Sequence, residues 1–452
     1  MIKDLIIVWF GLFLLSCGPF SVFAQENSPV FVPVDSRIPS FDQALLFDSR
    51  TWMGWRVQKD GPYGGGRFTI ENGAFCSDPA HPGLLLTTGQ FSDFILEFEM
   101  QVEDESDVFL LIRTSPSPNN LATSCFAIVL AASSAHPERL PCSILGRRMV
   151  SSQYEDYNKK NADGTYPWIR FNVYAKGKMI RVNSGLYLNN DCQDEESVRR
   201  GYLGFLVTRG KVRFRNIKWN PSQTLPLFTQ GNRSLNLWNP PEETATFAVH
   251  SDSTELRLHG GPGILETQMN FDNFILRAEF NTDGSESLGD IFFRCLPGEM
   301  LAGYRCSIDN RPLENGTIRT LGERTGSLVP LKEARNVGAQ NGQWNSLIIK
   351  AVDNHFQTWV NGIQTVDYTD RRPEDTSENP QKGLRLKEGT IQIQGRSLGS
   401  ALKFKSVEIA PVSKRWISKE EELYQKEQQV RALLPPRPVK DSGKQPKSKE
   451  KK

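Results

Sequence analysis

Apolar and polar positions alternate with a period of two along much of the chain, and residues 344–367 show the pattern best. Leu347, Ile349 and Ala351 alternate with Ile348, Lys350 and Val352, as in a strand with two distinct faces. Asp353-Asn354 then turns the chain, and Phe356, Thr358 and Val360 alternate again up to Asn361-Gly362. Asn-Gly between two such runs is a hairpin signal, because both turn positions need a positive φ. With a third strand leaving at Ile363, the stretch predicts a three-stranded meander. A related stretch begins at Trp168, with Phe171, Val173 and Ala175 alternating, a Lys176-Gly177 turn, a second strand over 179–182 and a turn at 183–185.

The same apolar pattern recurs at a fixed distance. Phe91-Ser-Asp-Phe94-Ile-Leu-Glu-Phe-Glu-Met100 returns 180 residues later as Phe271-Asp-Asn-Phe274-Ile-Leu-Arg-Ala-Glu-Phe280, and Gly83 and Leu85 map onto Gly263 and Leu265. The run ending in Arg113 matches the run ending in Arg294, and the strands starting at Gly201 and Val212 match those starting at Gly389 and Leu402. Ordered matches of this kind mean a tandem duplication. The copies are expected over 40–220 and 225–411, with the junction at Asn220-Pro221-Ser222. Many short strands, polar turns and no long helical pattern predict an all-β chain of two antiparallel sandwiches. A repeat of about 180 residues is too long for an immunoglobulin domain and suits a larger jelly roll.

The ends read differently. Lys3 and the apolar run from Leu5 to Leu15 precede Val22-Phe23-Ala24, the pattern of a signal peptide over 1–24. Leu14-Leu15-Ser16-Cys17 also fits a lipobox, with Cys17 lipidated. Either reading predicts export to the periplasm or cell envelope. No later run reaches the ~18 apolar residues of a membrane span. Ser418-Lys-Glu-Glu421 is a capping box opening a helix expected over 418–434, stopped by Pro435-Pro436. The Lys-rich tail over 435–452 has little to bury and is expected to be disordered. It either solubilises the chain or touches acidic envelope polymer or anionic lipid.

Charge and chemistry narrow the function. A formal net charge of +2 on 452 residues provides no global field to attract nucleic acid. None of the five histidines sits in a spaced metal motif. No Ser-His-Asp or Cys-His arrangement is spaced for nucleophilic catalysis. Six cysteines follow the leader, and Cys295 and Cys306 fall on neighbouring strands joined by a loop. They are the expected disulfide, with two buried free thiols as the alternative.

These motifs together resemble the 3-keto-disaccharide hydrolase domain family, a concanavalin-like jelly roll found in exported bacterial proteins. Gly342-Gln-Trp-Asn345, Trp359-Val-Asn-Gly362 and Thr325-Gly-Ser-Leu-Val-Pro330 are similar to the family's Gly-Glu-Trp-Asn, Asn-Gly and Thr-Gly-Ala-Leu signatures. In the first copy Leu46-Phe-Asp-Ser-Arg-Thr-Trp-Met-Gly-Trp55 is similar to its opening motif. The resemblance implies a hydrolase or lyase acting on oxidised disaccharides or glycosides. A glycan-binding protein without catalysis, or an envelope scaffold, is the alternative. Two departures stand out. Arg305 and Ser307 replace the family's Glu and Gln in Gly303-Tyr304-Arg305-Cys306-Ser307-Ile308, and Gly395-Arg396 stands where the family has Asp-His.

The carbohydrate site is expected on the second copy, which retains the Gly-Tyr pair and the Thr-Gly-Ser-Leu loop. Glycoside cleavage commonly uses two positioned carboxylates, and Asp290 and Asp309 flank the strand pair where the site would lie. Arg294 and Arg305 are candidates to fork onto sugar hydroxyls or a carboxylate, although Arg294, matched by Arg113, could equally form a structural ion pair. Tyr304 and Trp359 are candidate stacking platforms and Gln394 a hydroxyl ligand. Trp344 and Trp168 read as core. No cofactor is called for and no metal ligand set is assigned, with a divalent metal left open.

Overall fold

Period-two patterning is realised as strands throughout the computed structural model. It describes residues 43–413 except 152–158, 185–187, 195–198, 230–234, 242–246, 252–254, 261–262, 283–286, 312–322, 336–337 and 397–400. The expected leader, helix and tail lie outside the described residues. Four antiparallel sheets form two tandem jelly-roll sandwiches. In the first copy the larger sheet runs Leu188–Gln193, Met179–Ser184, Ile169–Lys176, Phe94–Val102, Val212–Pro221, Ala74–Ser77 and Phe68–Glu71, with Ala44–Leu45 also paired to Val212–Pro221. Its partner sheet runs Trp55–Val57, Gly83–Phe91, Gly201–Arg209, Asp107–Thr114 and Phe126–Ala131.

The second copy repeats the order. Its larger sheet runs Phe247–Ser251, Leu256–Gly260, Ala401–Pro411, Phe274–Thr282, Asn345–Val352, His355–Val360 and Ile363–Thr369, with Leu225–Thr229 on Ala401–Pro411. Its five-stranded sheet runs Gly263–Glu266, Thr390–Gly395, Leu288–Cys295, Tyr304–Asp309 and Leu328–Val329. The meander expected at 344–367 forms, and Asn361 and Gly362 both take positive φ at its second turn.

Two features of the sequence pattern resolve differently for local reasons. The repeated run that opens at Phe91 is not one strand: Ser92-Asp93 is a turn between Gly83–Phe91 and Phe94–Val102. The Arg113 guanidinium holds that turn, donating to Ser92 O at 3.0 and 3.1 Å and to Asp93 Oδ1 at 3.0 Å. The Cys295–Cys306 disulfide is also absent, and both thiols are buried and free. The register sets Cys306 opposite Ile291, four residues before Cys295. That offset is roughly 13 Å at about 3.3 Å per residue, about twice the Cα separation that a disulfide spans.

The two copies share an apolar contact. On the meander, Leu347, Ile349 and Ala351 face the core of their own sandwich, and Ile348, Val352 and Trp359 join the first copy's core cluster. Trp359 is fully buried, packs edge-on against Trp219 at 5.3 Å and donates its indole N–H to Leu45 O at 2.9 Å. Around it Arg335 pairs with Asp48 at 2.6 Å, and Arg200 pairs with Asp353 at 2.8 Å. Lys350 is buried in the same contact, with Nζ 3.8 Å from the Phe91 ring centre, and desolvation lowers its pKa to about 7.

Trp359→Ala should therefore destabilise the chain by about 3–5 kcal/mol, as expected for removing a large buried aromatic. Urea unfolding measures it, and a loss below about 1 kcal/mol means that the two copies do not pack as described.

Candidate functional site

Each strand of a five-stranded sheet gives alternate residues to the core. In the second copy Leu265, Ile291, Phe293, Tyr304, Cys306, Ile308, Ile391 and Ile393 point inward. The intervening residues form the opposite face, and the register lines them up in two rows. One row is Ile264, Gln394, Asp290 and Ser307; the other is Glu266, Gln392, Phe292 and Arg305. The first copy has the same rows with different contents: Leu84, Leu206, Phe109 and Val129, then Leu86, Gly204, Leu111 and Ala127. Its apolar members pack into a separate hydrophobic cluster, with Tyr63, Leu121 and Leu145 against it. One face is thus sealed with apolar side chains, and its counterpart carries a carboxylate, a guanidinium, amides and a hydroxyl.

Asp290 is at the centre of the polar face, with its side chain 1% exposed. Arg305 Nε lies 3.0 Å from Oδ1 and Arg396 Nε lies 2.9 Å from Oδ2. Both carboxylate oxygens thus face a guanidinium nitrogen within 3.0 Å. Arg396 follows the last residue of Thr390–Gly395, and its backbone N–H donates to Leu288 O at 2.9 Å, which fixes it beside Asp290. The outer ends of both guanidiniums converge on Glu323 Oε1, at 3.5 Å from Arg305 Nη2 and 3.7 Å from Arg396 Nη1. Desolvation dominates Asp290 and raises its pKa from 3.8 to about 6, against the pull of Arg396 and Arg305 and with a small push from Glu323. Gln394 is directly opposite Asp290 and is 6% exposed.

The rest of the face is tied down. Glu266 accepts from Thr390 Oγ1 at 2.6 Å and Gln392 Nε2 at 2.9 Å. Gln392 also donates to Glu299 O and accepts from the Leu301 N–H, so the hairpin after Cys295 closes that end. Asp309 shares the face at the end of its strand, but Arg311 takes both its oxygens at 2.8 and 3.0 Å. Among the described residues no three His, Cys, Asp or Glu side chains converge as a metal site.

Three sequence candidates do not reach the face. Tyr304 points into the core, stacked on Phe293, with its hydroxyl donating to Asp370 at 3.0 Å and accepting from the Arg385 N–H at 3.0 Å. Facing the core, the ring is not available as a sugar platform on the outer face. Trp359 is buried between the copies. Arg294, with φ +51, is a staple: it donates to Asp272 O, Asp353 O, Arg385 O and Asn273 Oδ1. Arg113, at φ +54, makes the matching bonds to Ser92 O, Gly177 O and Asp93 Oδ1, so the repeated arginine is a structural feature of both copies. Arg396 and Glu323 are site residues that the sequence pattern alone does not single out. Arg396 carried a signal as a departure at the end of a matched strand, whereas Glu323 lies in a loop with no periodicity.

A family model described as a 3-keto-alpha-glucoside-1,2-lyase-like domain matches residues 42–220 and again 226–410. Among solved structures, a Parabacteroides distasonis protein named as a candidate glycosyl hydrolase is 18% identical, with a TM-score of 0.34 over 42% of this chain and 100% of its own. A second from the same organism is 20% identical, with a TM-score of 0.31 over 42% of this chain and 84% of its own. A carbohydrate-binding module from Bacillus subtilis is 14% identical, with a TM-score of 0.28 over 37% of this chain and 96% of its own. No curated protein matches the chain.

Two predictions follow from the geometry of the carboxylate and the staple. An acid whose folded pKa lies above its unfolded value keeps its proton between the two, here between 3.8 and about 6. Stability therefore falls as pH rises through that window, by about 3 kcal/mol in all. Asp290→Asn removes this dependence, so the variant's stability relative to wild type should rise from pH 4 to pH 8 in urea titrations. A difference that stays flat with pH contradicts the buried placement. Arg294→Ala strands several carbonyls and should lower stability by about 3–5 kcal/mol. An equally stable variant with weakened sugar binding would restore Arg294 to the ligand site.

Proposed function

Because the chain belongs to the 3-keto-alpha-glucoside-1,2-lyase-like domain family, we propose that the polar face of its second copy binds a 3-keto-glucoside and detaches its aglycone. Membership makes the chain carbohydrate-related. The observation that carries the finer reading is Asp290: a carboxylate buried on the polar face, 3.0 and 2.9 Å from two guanidinium nitrogens, whose pKa burial raises.

The chemistry suits these residues. In a 3-keto-glucoside the hydrogen on C2 is acidified by the neighbouring ketone, and the aglycone leaves from C1. Asp290, with a pKa of about 6, can be ionised near neutral pH and still be basic enough to take the C2 proton. Arg305 and Arg396 provide fixed positive charge where the enolate oxygen develops, which lowers the barrier without reorganising solvent. Gln394, opposite Asp290, is placed to hold a ring hydroxyl. A lyase stops at the enone, and a hydrolase adds water to it, so both outcomes share this first step. The first copy has Phe109 where the second has Asp290 and contributes no chemistry. Export, read from residues 1–24, belongs to the same proposal.

One observation favours binding without turnover: Arg305 and Arg396 occupy the positions where the family motifs carry Glu and His. Incubating the protein with 3-keto-α-glucosides and with the unoxidised glucosides separates the readings. Aglycone release and enone absorbance are expected only with the keto substrates, falling by about 10²–10⁴-fold in Asp290→Asn. Calorimetric binding without release selects the second reading, and neither binding nor release overturns both.

A further inference from the structure

We propose that Lys350 makes the contact between the two copies proton-linked: the copies close on the neutral amine, and charging it favours their separation. The reading is independent of the carbohydrate chemistry. Strand parity explains the position. Ile348, Lys350 and Val352 alternate with the residues that face their own core, and Ile348 and Val352 join the first copy's apolar cluster. The cross-strand row through Lys350 is Ile275, Lys350, Gln357 and Asp367. An ammonium group therefore stands in the middle of the surface that the first copy covers.

That cover is close. Lys350 is 1% exposed, and its Nζ is 3.8 Å from the centre of the Phe91 ring. Gly89, on the same strand as Phe91, presses its backbone against the amine: a Cβ there would be 2.6 Å from Lys350 Nζ. Gln357 donates across the contact to Thr88 Oγ1 at 3.3 Å. Its Oε1 accepts from Lys350 at 2.8 Å, a neutral partner for a group with three donors. The carboxylate in the row is already engaged, since Asp367 meets His355 Nε2 at 2.8 Å and accepts from Gln357 at 3.2 Å. On the first copy's side the nearby charge is Arg200, which repels an ammonium and is itself paired with Asp353 at 2.8 Å. Among the described residues no carboxylate forms an ion pair with Lys350. A cation buried without an ionic partner opposes the contact that buries it.

Burial sets the direction of the linkage. Desolvation lowers the Lys350 pKa from 10.5 to about 7, against the pull of Asp367 and with a further push from Arg200. Separation of the copies returns the amine to water and to its ordinary value. Between the two values the separated state carries the extra proton. The closing equilibrium therefore strengthens as pH rises, by about tenfold per unit, and is level below about 7 and above 10.5.

Trace acetylation of the full-length protein across neutral and alkaline pH, read by peptide mass spectrometry, tests this. Acetic anhydride reacts only with a neutral amine and reaches Lys350 only when the copies separate. Separation becomes rarer by the same factor as the exposed amine becomes more reactive, so labelling at Lys350 is expected to level off above about pH 7. Exposed lysines should keep rising by about tenfold per unit toward pH ~10. A Lys350 profile that climbs like theirs overturns the proposal. Gly89→Ala, which sets a methyl group against Nζ, is expected to raise Lys350 labelling at neutral pH by about 10-fold or more, and an unchanged rate also overturns it. If Lys350 is not labelled at any pH, urea unfolding decides. The folding constant of wild type relative to Lys350→Met is then expected to rise by about tenfold per unit from pH ~7 to ~10, and a ratio that stays flat with pH sinks the proposal.

Discussion

A strand in a sandwich can leave only one of its faces uncommitted. The other must close the core between its two sheets, and this constraint is met alike in both copies by alternating Leu, Ile, Val and Phe. In each five-stranded sheet only the outer face was free to diverge. In the first copy it became a second apolar layer, in which each buried Leu or Phe contributes roughly 1.5–3 kcal/mol. In the second copy the same positions hold Gln394, Asp290, Ser307, Glu266, Gln392 and Arg305. That face gives up hydrophobic stabilisation and takes on a desolvated carboxylate, a local cost of the kind expected where a protein does chemistry.

The cost depends on burial as much as on distance. Two arginines at about 3 Å would ordinarily hold a carboxylate far below its model value, because forked N–H donors reward the charged form. Here both guanidiniums are close to Asp290 and pull its pKa down, but the carboxylate is so fully buried that desolvation wins. Asp290 is near enough to positive charge to ionise and buried enough to accept a proton. At Asp309, by contrast, Arg311 already occupies both oxygens. This difference separates the two acids that the sequence could only place side by side.

Much of the architecture was readable because it depends on periodicity. The duplication, the two meanders and the all-β class follow from alternation and from a constant offset. Parity also places Tyr304: it shares a strand face with Cys306 and Ile308, so its ring enters the core. Trp359 could not be read this way. It stands on the outer side of its strand, where solvent is the ordinary neighbour, and only the first copy makes it buried. Arg294 was legible as a repeat but not as a staple, because its partners are backbone carbonyls that any sequence provides. Cys295 and Cys306 are not paired because loop length sets the register, and that register places Cys306 opposite Ile291, four residues before Cys295. Glu323 has no pattern around it, and its place is set by the arginines it meets.

The arrangement of the copies bears on why a site-less first copy remains packed against the second. Asp353 accepts Arg200 of the first copy through its side chain and Arg294 of the second through its carbonyl. Arg294 is on the strand Leu288–Cys295, which also carries Asp290. A continuous run of hydrogen bonds therefore joins the first copy to the strand that bears the carboxylate. It passes through a turn whose Asp353 N–H is itself fixed by Asn273 Oδ1 at 2.7 Å. Strand ends normally fray, since their last groups lack ladder partners. This one is anchored by a fully buried guanidinium within the second copy, and the turn that receives the guanidinium is braced by the first. A buried carboxylate held near 3 Å from two guanidiniums needs a rigid strand beneath it to keep that geometry. Packing the first copy against the meander supplies part of that rigidity.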